Sequence, residues 1–123
     1  MAKTVLVVDD SSTVRQQVSI ALKQAGFAIV EAADGREGLA TLESNRDIDM
    51  VVCDVNMPNM NGLEMVEHVK RRPEHKSLPI LMLTTEGQPS MIKRAKEAGA
   101  VGWIVKPFDA TQLVQTAKHL TKA

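Results

Sequence analysis

In VLVVDDSS, residues 5–12, an unbroken apolar run stops at two aspartates. A strand covered on one face only would alternate apolar and polar residues, so an unbroken run predicts a strand buried on both faces. Three more runs end the same way. Met50–Cys53 meets Asp54, residues 80–83 meet Thr84-Thr85, and residues 103–105 meet Lys106. Laid side by side as parallel strands, the four ends gather three carboxylates, a hydroxyl and an ammonium at one sheet edge. Open α/β proteins hold their ligands outside the carboxyl ends of such strands.

Segments of helical period separate the runs. Val14, Val18, Ala21, Leu22 and Ala25 recur at helical spacing behind Ser11 or Ser12 as N-cap, with Gly26 as the stop. Residues 27–31 form a second short strand. Asp34 heads the next helix with Glu37 three residues on, a capping-box arrangement, and Leu39 and Leu42 lie on the inner face of that helix. Residues 55–61 are a loop, and the helix after it carries Leu63, Val66 and Val69. Pro79 opens strand four where a missing amide is tolerated, Pro89 suits a first helical turn, and Gly99 ends that helix. Residues 101–105 form strand five. Asp109, with Gln112 three on, caps a last helix whose inner face is Leu113, Val114, Ala117 and Leu120. Strands two and five are more mixed in composition, as at sheet edges. Five strand–helix repeats with connections too long for hairpins predict right-handed crossovers. The fold class is therefore α/β, a doubly wound five-stranded parallel sheet with five helices on its two faces. One domain over residues 1–123 accounts for every element.

A chain of 123 residues suffices for one real core, and 44% hydrophobic with 24% charged residues is an ordinary globular composition. Fifteen basic residues balance fifteen acidic ones, so no global field recruits nucleic acid or a membrane surface. Lys70-Arg71-Arg72, the one dense basic patch, reads as a solvated helix end whose cations suit the helix dipole. Cys53 is the only cysteine and lies inside an apolar run, which predicts a buried, inert thiol. His68, His75 and His119 show no metal spacing and read as surface residues. Residues 1–20 lack a signal-peptide pattern, and no apolar stretch approaches the ~18 residues of a membrane span. A reducing cytoplasm fits these features.

Two like charges about 4 Å apart at an effective dielectric of about 20 repel by about 4 kcal/mol. Asp9, Asp10 and Asp54 brought together must take up protons, spread apart or bind a cation. Hard oxygen donors without histidine or cysteine ligands favour magnesium over zinc. Lys106 neutralises part of the remaining charge and offers a donor to an incoming anion. A magnesium ion, a lysine and a hydroxyl around one carboxylate suit phosphoryl transfer, and Asp54, at the end of a central strand, is the candidate nucleophile. Asp34, Asp47, Asp49 and Asp109 read as caps or turn residues. Two rivals fit poorly. A phosphatase of the haloacid-dehalogenase type would want Asp-x-Asp after its first strand. A flavin mononucleotide carrier would want a Ser/Thr/Gly-rich loop where Asp9-Asp10 stand, and 2% aromatic residues leave little to sandwich a flavin.

VLVVDDSS, CDVNMPNMNG (residues 53–62), LTTEG (83–87) and GWIVKPF (102–108) together resemble the receiver domains of two-component response regulators. They are most similar to the stand-alone chemotaxis regulators of the CheY type, over nearly all of residues 4–120. The resemblance implies a flavodoxin-like fold with strand order 2-1-3-4-5 and a single receiver domain without an output domain. It implies a signalling switch, not an enzyme, that catalyses only its own phosphorylation and dephosphorylation. Asp54 would accept a phosphoryl group from a sensor histidine kinase. Asp10 directly, Asp9 mainly through water, Asp54 and the backbone carbonyl of Asn56 would hold Mg2+. Thr84 and Lys106 would bind phosphoryl oxygens, and the Lys106–Pro107 bond would be cis, turning the ammonium into the site. Asn56, Thr85 and Glu86 would tune the kinetics, with Thr85 bulkier than the alanine or glycine often found there. Thr84 and Trp103 would form the switch, and Met91, Ile92 and Trp103 the partner face. Trp103 stands where tyrosine or phenylalanine is commoner, and plain packing between helices four and five is its other reading. The implied partners are a flagellar motor switch protein and a phosphatase, with the protein a cytoplasmic monomer. A phosphorelay intermediate or a phosphate sink is the alternative function.

Overall fold

Strands β1 (Thr4–Val8), β2 (Ala28–Ala32), β3 (Met50–Cys53), β4 (Ile80–Thr84) and β5 (Gly102–Val105) form one parallel sheet in the order β2-β1-β3-β4-β5. The structure is a computed structural model that describes residues 2–123. Helices α1 (Ser12–Gln24), α2 (Gly35–Ser44), α3 (Gly62–Lys70), α4 (Pro89–Ala98) and α5 (Ala110–Thr121) connect and follow the strands. The expected order and fold class hold.

Both faces are covered because alternate strand residues feed two separate cores. Leu6, Val8, Val51 and Met82 pack under α2, α3 and α4 with Leu42 and Val66. Val5, Val7, Val52 and Leu81 pack under α1 and α5 with Val18, Leu22 and Leu113. β1, β3 and β4 are therefore buried nearly throughout, while β2 and β5 at the sheet edges are partly exposed. β2 begins one residue later than the composition suggested. Phe27 N–H is taken by Leu22 O, at 3.0 Å, in the turn that closes α1.

The helix ends follow local chemistry, with two corrections. Ser11 is the N-cap of α1, accepting from Val14 N–H, and Asp109 accepts from both Thr111 and Gln112 N–H. Asp34 caps α2 through Glu37 N–H, but the Glu37 carboxylate reaches Ala33 N–H instead of closing the box on Asp34. The complete capping box is at α3, between Asn61 and Glu64. Lys70 is not a solvated helix end either. Its ammonium donates to the carbonyls of His75, Lys76 and Leu78, tying the end of α3 to the connection that enters β4. A short 3-10 turn at Pro73–His75 lies in that connection. Gly99 ends α4 at φ +116°, the left-handed conformation that glycine adopts without a Cβ penalty.

Gly62 couples the fold to the sheet edge. Its N–H donates to Val55 O at 2.9 Å, and a Cβ there would stand 1.9 Å from the carbonyl oxygen of Asp54. The first residue of α3 thus approaches the backbone of Asp54 as closely as a missing side chain permits. Gly62→Ala is expected to destabilise the protein by about 1–3 kcal/mol, the cost of forcing backbone apart in a packed site. Gly87→Ala, whose Cβ would meet nothing closer than Val105 Cγ2 at 4.0 Å, should stay within about 0.5 kcal/mol of wild type. Urea denaturation of the two variants side by side measures the difference; equal midpoints would contradict the close-approach argument.

Candidate functional site

Register decides which side chains meet. Val8 pairs with Cys53, so Asp9 and Asp54 leave neighbouring strands at the same level. Thr84 pairs with Val105, so Lys106 follows directly beyond the hydroxyl. The sheet order puts β3 between β1 and β4, and the direction of winding reverses between β1 and β3. Ligand sites of open α/β sheets lie at such a reversal.

Asp9, Asp10 and Asp54 each offer a carboxylate oxygen, and these atoms lie within 4.8 Å of one another. Asp9 and Asp54 are buried and Asp10 is exposed. Lys106 Nζ stands between the two buried acids, 2.8 Å from Asp9 Oδ2 and 3.4 Å from Asp54 Oδ2. Its bond to Pro107 is cis. Asp54 Oδ1 accepts the N–H of Val55 at 2.7 Å. Burial pushes the Asp9 carboxyl above its ordinary value, against the lowering by the Lys106 hydrogen bond and the Ser11 N–H; the Asp54 charge raises it further. A lysine offsets part of the negative charge, but Asp10 adds to it. A donor set made wholly of carboxylate oxygens fits a hard divalent cation such as Mg2+.

Thr84, Glu86, Asn56 and Trp103 are joined by hydrogen bonds at the loop after β4. Thr84 is fully buried and its Oγ1 accepts the N–H of Glu86 at 3.2 Å. The Glu86 carbonyl accepts from Trp103 Nε1 at 2.8 Å, and its carboxylate accepts from Asn56 Nδ2 at 2.8 Å. Glu86 therefore joins a strand-end hydroxyl, the lone tryptophan and the loop after β3. Trp103 packs on the α4 side of the sheet, in contact with the core under α2, α3 and α4. Met91 packs against the same core, while Ile92 lines a shallow cleft along α4 with Pro89, Lys93 and Lys96. Thr85 is exposed and lines a cleft of about 590 Å3 with Val14, Lys106, Pro107 and Phe108. Cys53 is fully buried, and burial pushes its thiol well above its ordinary value, in keeping with an inert group.

Two contributors went unnoticed in the sequence. Ser11 N–H donates to Asp9 Oδ1 at 2.9 Å, and Arg15 Nη1 donates to the Asp9 carbonyl at 2.6 Å. Ser11 was legible only as a helix cap. Arg15 had no signal beyond lying one helical turn past the paired acids.

A family model described as the response regulator receiver domain matches residues 5–118. The chain is 42% identical over 104 residues to the chemotaxis protein CheY1 of Helicobacter pylori, covering 84% of each. It is 43% identical over 110 residues to the chemotaxis protein CheY-3 of Vibrio cholerae, covering 89% of this chain and 84% of that one. The solved structure of Vibrio cholerae chemotaxis protein CheY4 superposes with a TM-score of 0.91 at 45% identity, over 98% of this chain and 99% of that one. With its sheet order, its strand-end acids and these likenesses in agreement, the chain belongs to the response regulator receiver domain family.

Proposed function

We propose that this receiver domain is a phosphorylation-dependent signalling switch in which Asp54 accepts a phosphoryl group from a sensor histidine kinase, with Mg2+ held by Asp9, Asp10, Asp54 and the backbone carbonyl of Asn56. The observation that carries the reading is the Lys106 ammonium set between Asp9 and Asp54 with Asp10 alongside. One oxygen of Asp54 is engaged by Val55 N–H, leaving the other to attack phosphorus. The bond from phosphorus to the donor's imidazole nitrogen breaks as the acyl phosphate forms, and the departing imidazole takes up a proton. Mg2+, when bound, supplies charge neutralisation for the phosphoryl oxygens. Lys106 then pairs with one phosphoryl oxygen and Thr84 donates its hydroxyl to another. Water later returns the carboxylate and inorganic phosphate.

The switch follows from competition for Thr84. Its Oγ1 accepts from Glu86 N–H, and a phosphoryl group draws the hydroxyl toward Asp54. Moving Glu86 loads the Trp103–Glu86 and Asn56–Glu86 bonds, which biases the loop and the surface around Met91, Ile92 and Trp103. Likeness to chemotaxis proteins supports a flagellar motor switch protein as the partner of that surface, in the cytoplasm. Among the described residues no helix is long and apolar enough to cross a membrane.

Trp103 is the only tryptophan and there is no tyrosine. Acetyl phosphate with Mg2+ should therefore change intrinsic fluorescence, and Asp54→Asn should remove all of the phosphodonor-dependent part. Intact-mass spectrometry should find the phosphoryl group on wild type alone; a full optical response in the Asn variant would take Asp54 out of this role.

The raised Asp9 carboxyl makes a second expectation. Folded protein holds this proton more tightly than unfolded chain does. Without a cation, the stabilisation from protonated Asp9 is complete below the ordinary value of 3.8 and is lost as pH rises through the raised one. In EDTA, Asp9→Asn should gain stability relative to wild type between about pH 4 and about pH 7, and Mg2+ should stabilise wild type more at the upper end. Urea titrations at both pH values read this, and wild type gaining on the variant with rising pH in EDTA would reverse the assignment.

The choice of partner is tested by mixing the phosphorylated protein with a motor switch peptide and, separately, with a histidine phosphotransfer domain. Phosphorylation-dependent binding to the peptide is expected. Rapid transfer to the phosphotransfer domain without peptide binding would make the protein a relay intermediate or a phosphate sink.

A further inference from the structure

Asp9 has a partner on every polar group it owns. Its N–H donates to Ala32 O at 3.1 Å, Oδ1 accepts from Ser11 N–H at 2.9 Å, and Oδ2 accepts from Lys106 at 2.8 Å. Its carbonyl accepts from Arg15 Nη1 at 2.6 Å. That carbonyl belongs to the peptide unit joining Asp9 to Asp10. Because a peptide unit is planar, pinning its oxygen sets the plane and so the direction in which Asp10 leaves the strand. Asp10 itself is exposed, and its departure from β1 is the least confined part of the acidic group.

Arg15 is itself held. Its Nε donates to Glu31 Oε1 on β2 at 3.1 Å, and its side chain is only 19% exposed. A guanidinium presents its donors in a fixed planar fork, so anchoring one nitrogen on Glu31 aims the other at the Asp9 carbonyl. Three elements are thereby locked together: α1, which carries Arg15, β2, which carries Glu31, and the β1–α1 turn.

We propose that Arg15 is a positioning residue for the divalent-cation site, fixing the Asp9–Asp10 peptide through its Nη1 while Glu31 orients the guanidinium. The proposal rests on the reading that Asp9, Asp10 and Asp54 hold Mg2+. It makes a prediction whose sign separates position from charge. A cation beside three carboxylates repels Mg2+, so a residue acting through charge alone would, when neutralised, let Mg2+ bind more tightly. A residue that positions the ligands would, when removed, let it bind more weakly.

Calorimetric Mg2+ titrations of the full chain at fixed pH and ionic strength test this, with thermal unfolding as a control on folding. Arg15→Gln should weaken Mg2+ binding about tenfold, the usual scale for losing a group that orients a metal ligand. Its melting temperature in EDTA should fall by only a few degrees, leaving the variant fully folded at the titration temperature. Arg15→Lys should recover part of the loss, because one ammonium meets the Asp9 carbonyl without the Glu31-anchored fork. Glu31→Gln should give a smaller loss than Arg15→Gln, and the double variant should be no weaker than Arg15→Gln alone. If Arg15→Gln binds Mg2+ as well as wild type or better, while Asp10→Asn abolishes binding, Arg15 has no positioning role and the metal assignment stands. If wild type shows no Mg2+ binding, both fall together.

Discussion

Lys106 between Asp9 and Asp54 is the contact on which the geometry of this sheet edge depends. Two buried carboxylates on adjacent strands, with a third beside them, would repel strongly in a poorly screened site. The ammonium arrives from β5, two strands away from β3, and closes the group. Its compensation is partial by charge count. The Asp9 carboxyl still lies above its ordinary value because burial outweighs the lysine. A site left negative in this way is suited to a divalent cation and, once that is present, to a transferred phosphoryl group.

Around that contact the molecule arranges two kinds of support. One is rigid. Gly62 lies against the carbonyl of Asp54, Ser11 N–H and Arg15 hold Asp9, and β1 and β3 are buried nearly throughout. The other is yielding. Glu86 sits on an exposed loop and joins Thr84, Asn56 and Trp103 by single hydrogen bonds. Single bonds to one loop are easily traded against one another, whereas packed backbone is not. Rigid backbone on one side and a loop with competing partners on the other is a division from which conformational switching can be built.

Much of this was legible in the chain. Unbroken apolar runs at residues 5–8, 50–53 and 80–83 gave strands with two covered faces, and mixed runs marked the edges. Asp34, Pro89, Gly99 and Asp109 marked helix ends by local chemistry that does not depend on distant contacts. What failed was chemistry that local spacing does not settle. Glu37 has the capping-box spacing but reaches Ala33, and Asn61–Glu64 closes the box instead. Lys70 looked like a solvated helix end until the connection into β4 folded back onto its ammonium. Arg15 was invisible because its two partners are a backbone carbonyl and a residue on another strand.

The sequence by itself determined the alternation of strand and helix and the reactive residue at each strand end, because apolar period and residue chemistry are properties of short segments. Only the tertiary structure decided which ends meet. Strand order and register put Asp9 level with Asp54, brought Lys106 between them, and set Trp103 on the α4 side with its indole N–H on Glu86. These contacts join residues far apart in the chain, Asp9 and Lys106 by 97 positions. No local pattern encodes such a distance; it is set when two cores close on opposite faces of one twisted sheet.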